Sequence, residues 1–385
     1  MGNAHGLWQL QDMPLLSRDD LQKHFSEINC TTIPREHGGF NETKSSGSTG
    51  RMVTVRRTEA CMMFWLALTL REHLWHQRDF SRTMAVIRPT VAEGDTARKG
   101  LSMKDWGAPV SLLFDSGNAF ALNLQTDIAR QAEWLTSINP HYLLTFPTNL
   151  AELIKYFEAH GTSLSNLQEV RTVGESVSET LRKQCKTSWG VDIADTYSSQ
   201  ELGVIAIQCP TSGMYHAMSE NLIVEVIHDD GQPCQQGEVG RVVVTDLHNF
   251  ATPLVRYDTK DYAEVGGSCP CGRGLPTLAR ILGRSRNMVV LPDGQRFWPL
   301  VGAYQFREIA PISQYQVIQK TLTQLEVRMV AERKVSVQEE MELASVIQRS
   351  LDYPFEMTFL YFDLEIPRGK SGKFEEFLCE IENDA

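Results

Sequence analysis

Residues 142–173 read YLLTFPTNLAELIKYFEAHGTSLSNLQEVRTV and hold two apolar segments on either side of a helical one. Tyr142–Phe146 and Glu169–Val173 have the length and apolar character of buried strands. Between them, Leu150–His160 carries its apolar residues at helical spacing. Because strand, helix and strand in this order is the repeating unit of a parallel sheet, the stretch predicts an α/β fold.

The same alternation extends towards the N-terminus and the C-terminus. We predict further buried strands at Met84–Arg88 and Val110–Phe114, and further helices at Asp127–Ile138 and Glu179–Thr187. The most apolar stretch, Ala60–Leu70, is about half as long as a membrane span and is followed by charged residues. It therefore predicts a core helix, and no membrane attachment is expected.

The pattern changes after residue 220. Asn221–Val265 predicts closely spaced strands, with turns at 229–231 and 236–237. This spacing is typical of antiparallel or barrel-like structure. We therefore expect a β-rich subdomain at about 209–280, attached to the parallel α/β part.

The last hundred residues predict a separate small α+β domain. Strands are expected near Tyr315–Lys320 and Leu325–Val330, and a helix near Val337–Ser350. The predicted boundary lies near residue 285. The expected domains are thus a large N-terminal domain at 1–285 and a small C-terminal domain at 286–385.

Composition and charge narrow the class of protein. The 385 residues are 42% hydrophobic, which is ordinary for a globular protein and excludes bulk disorder. With 37 basic against 48 acidic residues the net charge is −11, which opposes sequence-independent binding to nucleic acid. The first 14 residues lack the basic start and long apolar run of a secretory signal, so a cytoplasmic location is expected.

Three of the eight cysteines and one of the ten histidines form a metal-ligand pattern. Cys209 and His216 are separated by six residues, and Cys269 and Cys271 by one. Three sulfurs and one imidazole are a ligand set of closed structural Zn²⁺ sites, which would tie the β-rich part to the main sheet. The alternative is four ordinary side chains, with a tight turn at 269–271. The other cysteines have no such pattern and are predicted core or surface residues: Cys30, Cys61, Cys185, Cys234 and Cys379.

Lys44–Arg51 (KSSGSTGR) is a candidate phosphate-binding loop. Its two glycines allow close approach of a ligand, and its hydroxyls and backbone N–H groups could surround an oligophosphate. The glycine spacing differs from that of a Walker A loop, which disfavours a P-loop phosphotransferase. Taken alone, such a Ser/Gly-rich stretch is more often a flexible loop.

Asp195–Gly203 (DTYSSQELG) follows an apolar strand and combines a stacking surface with a cation ligand. The ring of Tyr197 could stack on a base, and the carboxylate of Glu201 could hold Mg²⁺. The alternative is a turn with a solvated glutamate.

Two further segments carry charge. Thr252–Asp261 (TPLVRYDTKD) offers an aspartate at a strand end that could accept ribose hydroxyls, beside Arg256, which could pair with a phosphate or form a structural salt bridge. Ile366–Lys373 (IPRGKSGK) is a basic glycine-containing loop whose lysine could neutralise developing charge, or else a bland surface turn.

Together these four segments resemble the adenylate-forming superfamily, and within it the phenylacetate–coenzyme A ligase-like branch. The resemblance runs from about Pro14 to Lys373. The segments that narrow it to this branch are Phe146-Pro147-Thr148, Gly174-Glu175, Tyr197–Glu201, Gly237–Gly240, Thr252–Asp261, Cys269–Arg273 and Ile281–Arg284. It implies a large N-terminal adenylate-forming domain and a small, mobile C-terminal domain.

The resemblance also implies roles for individual residues. The nucleotide site would comprise Ser45, Ser46, Gly47, Ser48, Thr49, Gly50, Arg51, Gly174, Glu175, Tyr197, Gln200, Asp261 and Arg284. Glu201 would hold Mg²⁺, and Lys373 would be the catalytic lysine. Phe146 and Pro147 are candidates for the acid pocket, with core packing as the alternative.

The implied reaction is ATP- and Mg²⁺-dependent activation of a carboxylic acid, aryl or arylacetic, as an acyl-adenylate with release of pyrophosphate. Transfer to the thiol of coenzyme A would follow. Transfer to a carrier-protein thiol, a protein cysteine or an amine, and a non-catalytic nucleotide-binding protein, are the alternatives. Arg286 and Asn287 replace the acidic pair that usually forms the family's hinge. The resemblance also implies a homodimer, which is common among relatives.

Overall fold

The computed structural model describes residues 10–44, 52–89, 100–284, 287–297, 299, 306, 308–363, 365–367 and 374–381. The chain divides into two compact units, Met1–Ile281 and Leu282–Ala385. The boundary expected from the sequence is near residue 285.

The first unit is built on a twelve-stranded mixed sheet. Its strands are β3 (Met84–Arg88), β4 (Leu101–Met103), β5 (Ala119–Asn123), β6 (Tyr142–Thr145), β7 (Glu169–Val173), β8 (Asp192–Ser199), β9 (Gly203–Gln208), β10 (Tyr215–Ala217), β11 (Leu222–Ile227), β12 (Val239–Asp246), β13 (Tyr257–Val265) and β14 (Thr277–Arg284). Their spatial order is β11-β12-β13-β14-β10-β9-β8-β7-β6-β3-β5-β4. A separate antiparallel ribbon is formed by β1 (Phe40–Lys44) and β2 (Thr54–Thr58).

Helices cover and connect the parallel strands β5, β3, β6, β7 and β8. The helices of this unit are α1 (Arg18–Lys23), α2 (Phe25–Ile28), α3 (Glu59–Trp75), α4 (Ile128–Ile138), α5 (Pro147–His160) and α6 (Glu179–Trp189). The side chains of Asp127 and Ser178 cap α4 and α6 by accepting backbone N–H groups. Helix α5 begins three residues before its predicted start because proline is well tolerated in the first turn.

The predicted α/β core is confirmed. Leu143 of β6, Leu150 of α5 and Val170 of β7 are completely buried in one apolar cluster. The apolar stretch 60–70 forms part of α3, as predicted. Among the described residues, no helix combines the length and the apolar character needed to cross a bilayer.

The prediction of a strand at Val110–Phe114 is wrong. Residues Val110–Leu112 form a 3₁₀ turn, and the place beside β3 is taken by β5. Only Val110 reaches the core, whereas Leu113 is 71% exposed. A short apolar run does not by itself distinguish a strand from a turn, and here the segment Ala119–Asn123 fills the sheet position beside β3.

The β-rich part is antiparallel, as predicted, but it is not a sheet of its own. Strands β11, β12 and β13 pair antiparallel and continue the main sheet through β14, β10 and β9. The turns at 229–231 and 236–237 are present, with Gly231 and Gly237 at positive φ. The antiparallel strands are therefore joined to the parallel part within one continuous sheet.

The second unit contains a four-stranded sheet of order β19-β18-β17-β20 and a helix that follows β18. Its elements are β15 (Val289–Val290), β16 (Arg296–Phe297), β17 (Ile312–Gln319), β18 (Gln324–Ala331), α7 (Val337–Leu351), β19 (Glu356–Phe362) and β20 (Phe377–Cys379). Ser336 and Glu339 form a capping box at the start of α7. The two strands and the helix predicted from the sequence are confirmed.

Candidate active site and metal centre

Three neighbouring parallel strands end at one edge of the main sheet. Phe146 follows β6, Gly174 and Glu175 follow β7, and the Gln200-Glu201 pair follows β8. Because parallel strands place their carboxyl ends on the same side, this edge is where an open α/β sheet binds its ligands. Five candidate residues from separate parts of the sequence are thus brought to one edge.

Glu175 is held at the start of α5. Its Oε2 accepts hydrogen bonds from the backbone N–H of Thr148 at 3.0 Å and from Thr148 Oγ1 at 2.9 Å. A carboxylate is favoured at this position because the first turn of a helix presents unpaired N–H groups. Phe146 is the half-buried residue before the helix, and Pro147 is buried in its first turn.

Tyr197 and Asp261 are directly hydrogen bonded. The Tyr197 hydroxyl donates to Asp261 Oδ2 at 2.7 Å, joining β8 to β13. Tyr197 is buried in an apolar cluster with Leu202 and Tyr257. Asp261 lies within β13, whereas the sequence prediction put it at a strand end. The candidate base-stacking ring and the candidate ribose ligand are therefore neighbours.

Glu201 is buried and paired. Its Oε1 lies 3.5 Å from Arg18 Nη1, a residue of α1, and its side chain is 8% exposed. The β8–β9 pairing shifts register beside Tyr197, where an irregularity changes the direction of the following side chains. The predicted Mg²⁺ ligand is thus a buried carboxylate beside a fixed cation, not the solvated turn residue of the alternative interpretation.

Arg57 lies behind the Gln200-Glu201 turn. Its guanidinium donates to the Gln200 carbonyl at 3.5 Å and sits 4.5 Å from the centre of the Trp65 ring. Gly203, at φ +77°, leaves room for it, since a Cβ there would lie 2.9 Å from Arg57 Nη2. Burial lowers the pKa of Arg57, with Cys61, Asp246 and Glu201 acting in the opposite direction.

Neither Arg18 nor Arg57 was predicted from the sequence to be a site residue. Their partners lie 183 and 143 residues away along the chain. No local sequence pattern around either arginine indicates a contact with the 200–201 turn. These contacts are therefore visible only in the tertiary structure.

Arg256 has a structural role. It forms a 3.2 Å ion pair with Glu225 and donates to the carbonyls of Gln11 and Met13. Of the two alternatives for this residue, the structural salt bridge is confirmed. Its guanidinium ties the segment before α1 to β11.

Some candidates lie outside the described residues. These are Ser45, Ser46, Gly47, Ser48, Thr49, Gly50 and Arg51, together with Arg286 and Lys373. Arg284 is the last residue of β14. Asn287, in the second unit, donates from Nδ2 to the Phe377 carbonyl at 2.9 Å.

The four predicted zinc ligands converge. Their ligand atoms all lie within 4.8 Å of one another, and we call Cys209, His216, Cys269 and Cys271 the Cys/His centre. The sulfurs of Cys269 and Cys209 are 3.7 Å apart, and Cys271 Sγ lies 3.2 Å from His216 Nε2. Two thiolates on one tetrahedral Zn²⁺, with bonds of about 2.3 Å, would be about 3.8 Å apart. The donor set and the spacing therefore fit zinc.

Groups around the Cys/His centre favour the ligand forms of His216 and Cys209, whereas burial raises the pKa of the Cys269 thiol. The Nδ1 of His216 faces the Leu275 carbonyl at 3.4 Å, which leaves Nε2 directed at the sulfurs. Burial raises the pKa of Cys209, but hydrogen bonds from the Ser212 and Thr211 backbone and from His216 outweigh it and lower the pKa to about 5. All eight cysteines are free thiols in the structure, so no disulfide competes for these sulfurs.

The chain resembles known ligases in sequence and in fold. It is 26% identical over 347 residues to a phenylacetate-coenzyme A ligase of Thermus thermophilus, covering 87% of this chain and 73% of that protein. A phenylacetate-coenzyme A ligase of Escherichia coli is 27% identical over 173 residues, 42% of this chain and 38% of that protein. A search against protein-family models found no match.

Solved structures of adenylate-bound ligases share the fold. A 2-hydroxyisobutyryl-CoA ligase in its postadenylation state, in complex with R3-HIB-AMP, matches 96% of this chain and 80% of its own, with a TM-score of 0.73 at 16% identity. An anthranilate CoA ligase in complex with anthranoyl-AMP matches 86% of this chain and 65% of its own, with a TM-score of 0.59 at 16% identity. By sequence similarity and fold together, the chain resembles the adenylate-forming, AMP-producing ligases of the phenylacetate–coenzyme A ligase-like branch.

Proposed function

We propose that this ligase activates an aryl or arylacetic acid as its acyl-adenylate and transfers the acyl group to the thiol of coenzyme A. The similarity to relatives named phenylacetate-coenzyme A ligase supports both the acid class and the acceptor. The anthranilate ligase among the fold relatives also acts on an aromatic acid.

The observation that carries the proposal is the 2.7 Å hydrogen bond between Tyr197 and Asp261. It brings a flat aromatic surface and a carboxylate together beside the edge where Gly174 and Glu175 follow β7. An adenosine needs these two groups side by side, one for its base and one for its ribose hydroxyls.

The reaction has two steps. A carboxylate oxygen of the acid attacks the α-phosphorus of ATP, and the bond from that phosphorus to the bridging oxygen breaks, so pyrophosphate leaves. The sulfur of coenzyme A then attacks the acyl carbonyl, the bond to the AMP oxygen breaks, and the thiol proton is released. Charge on the phosphate oxygens would be balanced by the Ser45–Arg51 loop and Lys373, with Mg²⁺ held by Glu201.

A zinc ion and the second unit complete the proposed assignment. Zn²⁺ in the Cys/His centre would have four protein ligands and no open position, so its role is to join the loops that carry those ligands. The second unit would act as the mobile domain that delivers Lys373, with Asn287 tied to β20 through the Phe377 carbonyl.

Pyrophosphate release tests the proposed acid and acceptor. Purified protein with ATP and Mg²⁺ is incubated with aryl, arylacetic, fatty and amino acids, each with and without coenzyme A. We expect release with the aryl or arylacetic acids, stimulated by coenzyme A, together with formation of the thioester. Release without stimulation by coenzyme A would instead favour a carrier-protein thiol, a protein cysteine or an amine as acceptor.

The variant Lys373→Ala tests the catalytic lysine. Adenylation should fall by about 10²–10³-fold, the size of effect expected for a group that stabilises transition-state charge, while ATP binding measured by calorimetry changes little. Lys334→Ala is a matched control, because Lys334 is an exposed lysine of the same unit. Undiminished turnover in Lys373→Ala would remove this lysine from the mechanism.

A further inference from the structure

The hairpin that joins β11 to β12 carries a second group of metal-ligating side chains. His228, Cys234 and Glu238 each place one ligand atom within 4.8 Å of the other two, and we call them the hairpin cluster. All three lie between Ile227, the last residue of β11, and Val239, the first of β12. The cluster shares no residue with the Cys/His centre.

The spacing within the hairpin cluster suits two ligands on one ion. His228 Nε2 lies 3.1 Å from Glu238 Oε2. Nitrogen and oxygen ligands bound to one Zn²⁺ at about 2.0–2.2 Å are about 3.0–3.5 Å apart. The backbone N–H of Gln235 donates to the same carboxylate oxygen at 2.6 Å and fixes its orientation.

Backbone hydrogen bonds hold the three positions in place. The His228 N–H donates to the Gln232 carbonyl at 2.8 Å, and the Cys234 N–H donates to the Val226 carbonyl at 2.9 Å. The Cys234 sulfur rests against Gly240, where a Cβ would come within 2.5 Å of it. Because the turn is already closed, an ion would find its ligands with little loss of chain entropy.

The charges around the hairpin cluster favour a cation. Burial raises the pKa of Cys234, and the negative charges of Glu238, Asp230 and Asp229 add to this effect. Arg241 pairs with Asp229 at 3.3 Å and with Asp258 at 3.3 Å, and Lys260 pairs with Asp258 at 3.2 Å. The four carboxylates of Asp229, Asp230, Glu238 and Asp258 thus outnumber the two cations, Arg241 and Lys260.

We propose that His228, Cys234 and Glu238 bind a divalent transition-metal ion of the Zn²⁺ class, with water completing its coordination. Imidazole and thiolate ligands select such ions over Mg²⁺ and Ca²⁺, which prefer oxygen. With three protein ligands and a half-exposed setting, this site exchanges its ion more readily than the four-ligand Cys/His centre. The bound ion displaces the proton of the Cys234 thiol into solvent.

Cobalt titration tests the proposal on the full-length protein. Protein that has been dialysed against metal-free buffer without chelator is titrated with Co²⁺, and the thiolate-to-cobalt absorption band and the bound equivalents are recorded. We expect wild type to bind one equivalent that Cys234→Ser and His228→Gln do not bind. Cys30→Ser, which changes a half-buried cysteine outside the cluster, should behave as wild type.

Two further readouts make the result decisive. Circular dichroism and the thermal midpoint of each variant without added metal are compared with those of wild type, so that loss of binding is not confused with loss of folding. Added Zn²⁺ should raise the midpoint of wild type and of Cys30→Ser but not of Cys234→Ser. Equal cobalt binding in wild type and Cys234→Ser, or no additional equivalent in wild type, would overturn the site. Neither outcome depends on catalysis, so the proposed function stands or fails separately.

Discussion

The Tyr197 hydroxyl donates a 2.7 Å hydrogen bond to the Asp261 carboxylate, linking residues that are 64 positions apart in the sequence. Tyr197 is buried in the core of the first unit, so the bond holds a half-buried carboxylate on a rigid support. A carboxylate that is already oriented towards the ribose before the nucleotide arrives loses less side-chain freedom on binding. The relationship therefore predicts that the hydroxyl contributes to ATP affinity through Asp261.

Tyr197→Phe keeps the ring and removes this hydrogen bond. We expect the KM for ATP to rise about 2–10-fold with kcat nearly unchanged, since one hydrogen bond contributes about 0.5–1.5 kcal/mol. Steady-state pyrophosphate release against ATP concentration measures both constants. Tyr262→Phe is the control, because Tyr262 is the next residue along β13, where successive side chains point to opposite faces, and its hydroxyl bonds to Asp229. An unchanged KM in Tyr197→Phe would argue against this role.

Arg18→Gln removes the cation beside Glu201. If Glu201 holds Mg²⁺, the arginine competes with the metal for its carboxylate, so the half-saturating Mg²⁺ concentration should fall. Folding stability should decrease by about 1–3 kcal/mol, because a buried carboxylate loses a charged partner. Mg²⁺ titration of pyrophosphate release and urea unfolding measure the two effects. Lys23→Gln, which breaks an exposed ion pair on the same helix, should alter neither.

Cys269→Ser tests zinc in the Cys/His centre. Protein purified without chelator should retain about one equivalent of Zn²⁺ through gel filtration, since four protein ligands bind tightly. The serine variant should lose this equivalent and unfold at a lower temperature, because metal affinity contributes to folding free energy. Metal analysis and calorimetry measure these changes, with Cys379→Ser as the control in the second unit. Wild-type protein that is folded and free of zinc would contradict the assignment.

Glu72, in α3, belongs to a buried charge cluster with Arg78 and Arg171, in which Arg78 also pairs with Glu169. Its Oε1 lies 2.8 Å from Arg78 Nη2 and accepts a 3.0 Å hydrogen bond from Arg171 Nε. Glu72→Gln would leave two buried guanidinium groups without their shared carboxylate. We expect a loss of about 3–5 kcal/mol in the free energy of unfolding at pH 7. Glu179→Gln, at a side chain that is 79% exposed, should change it by less than about 0.5 kcal/mol.

The contribution of Glu72 should depend on pH. Burial acts to raise its pKa, but Arg171 and Arg78 outweigh this and hold the pKa far below the ordinary value of 4.5. A carboxyl whose pKa is lowered by folding stabilises the protein fully above its unfolded pKa, and this stabilisation declines as the pH falls towards the folded value. The difference between wild type and Glu72→Gln should therefore be constant from pH 7 to about 5.5 and shrink below about 4.5. Urea unfolding across this range checks the direction.

Local sequence patterns predicted most of the elements that position the site. The strands at 84–88, 142–145 and 169–173 and the helices at 128–138, 147–160 and 179–189 were identified because apolar spacing acts over only a few positions. The ligand types of the Cys/His centre could also be predicted from the sequence, because the affinity of thiol and imidazole groups for metal ions is a property of the residue types. The hairpin cluster was missed, although His228, Cys234 and Glu238 lie within eleven residues, because nothing in their spacing told them from an ordinary surface turn.

The sequence by itself determined most of the helices and strands of the parallel core, though not β4 and β5, and which residues can carry ligand chemistry. Only the tertiary structure decided that Ala119–Asn123 and not Val110–Phe114 fills the sheet beside β3, and that Arg18 pairs with Glu201. The physical reason is the separation along the chain over which each kind of interaction acts. Propensity and periodicity act between near neighbours, whereas sheet position and ion pairing depend on packing between segments that are far apart in the chain, and that packing overrides weak local preferences.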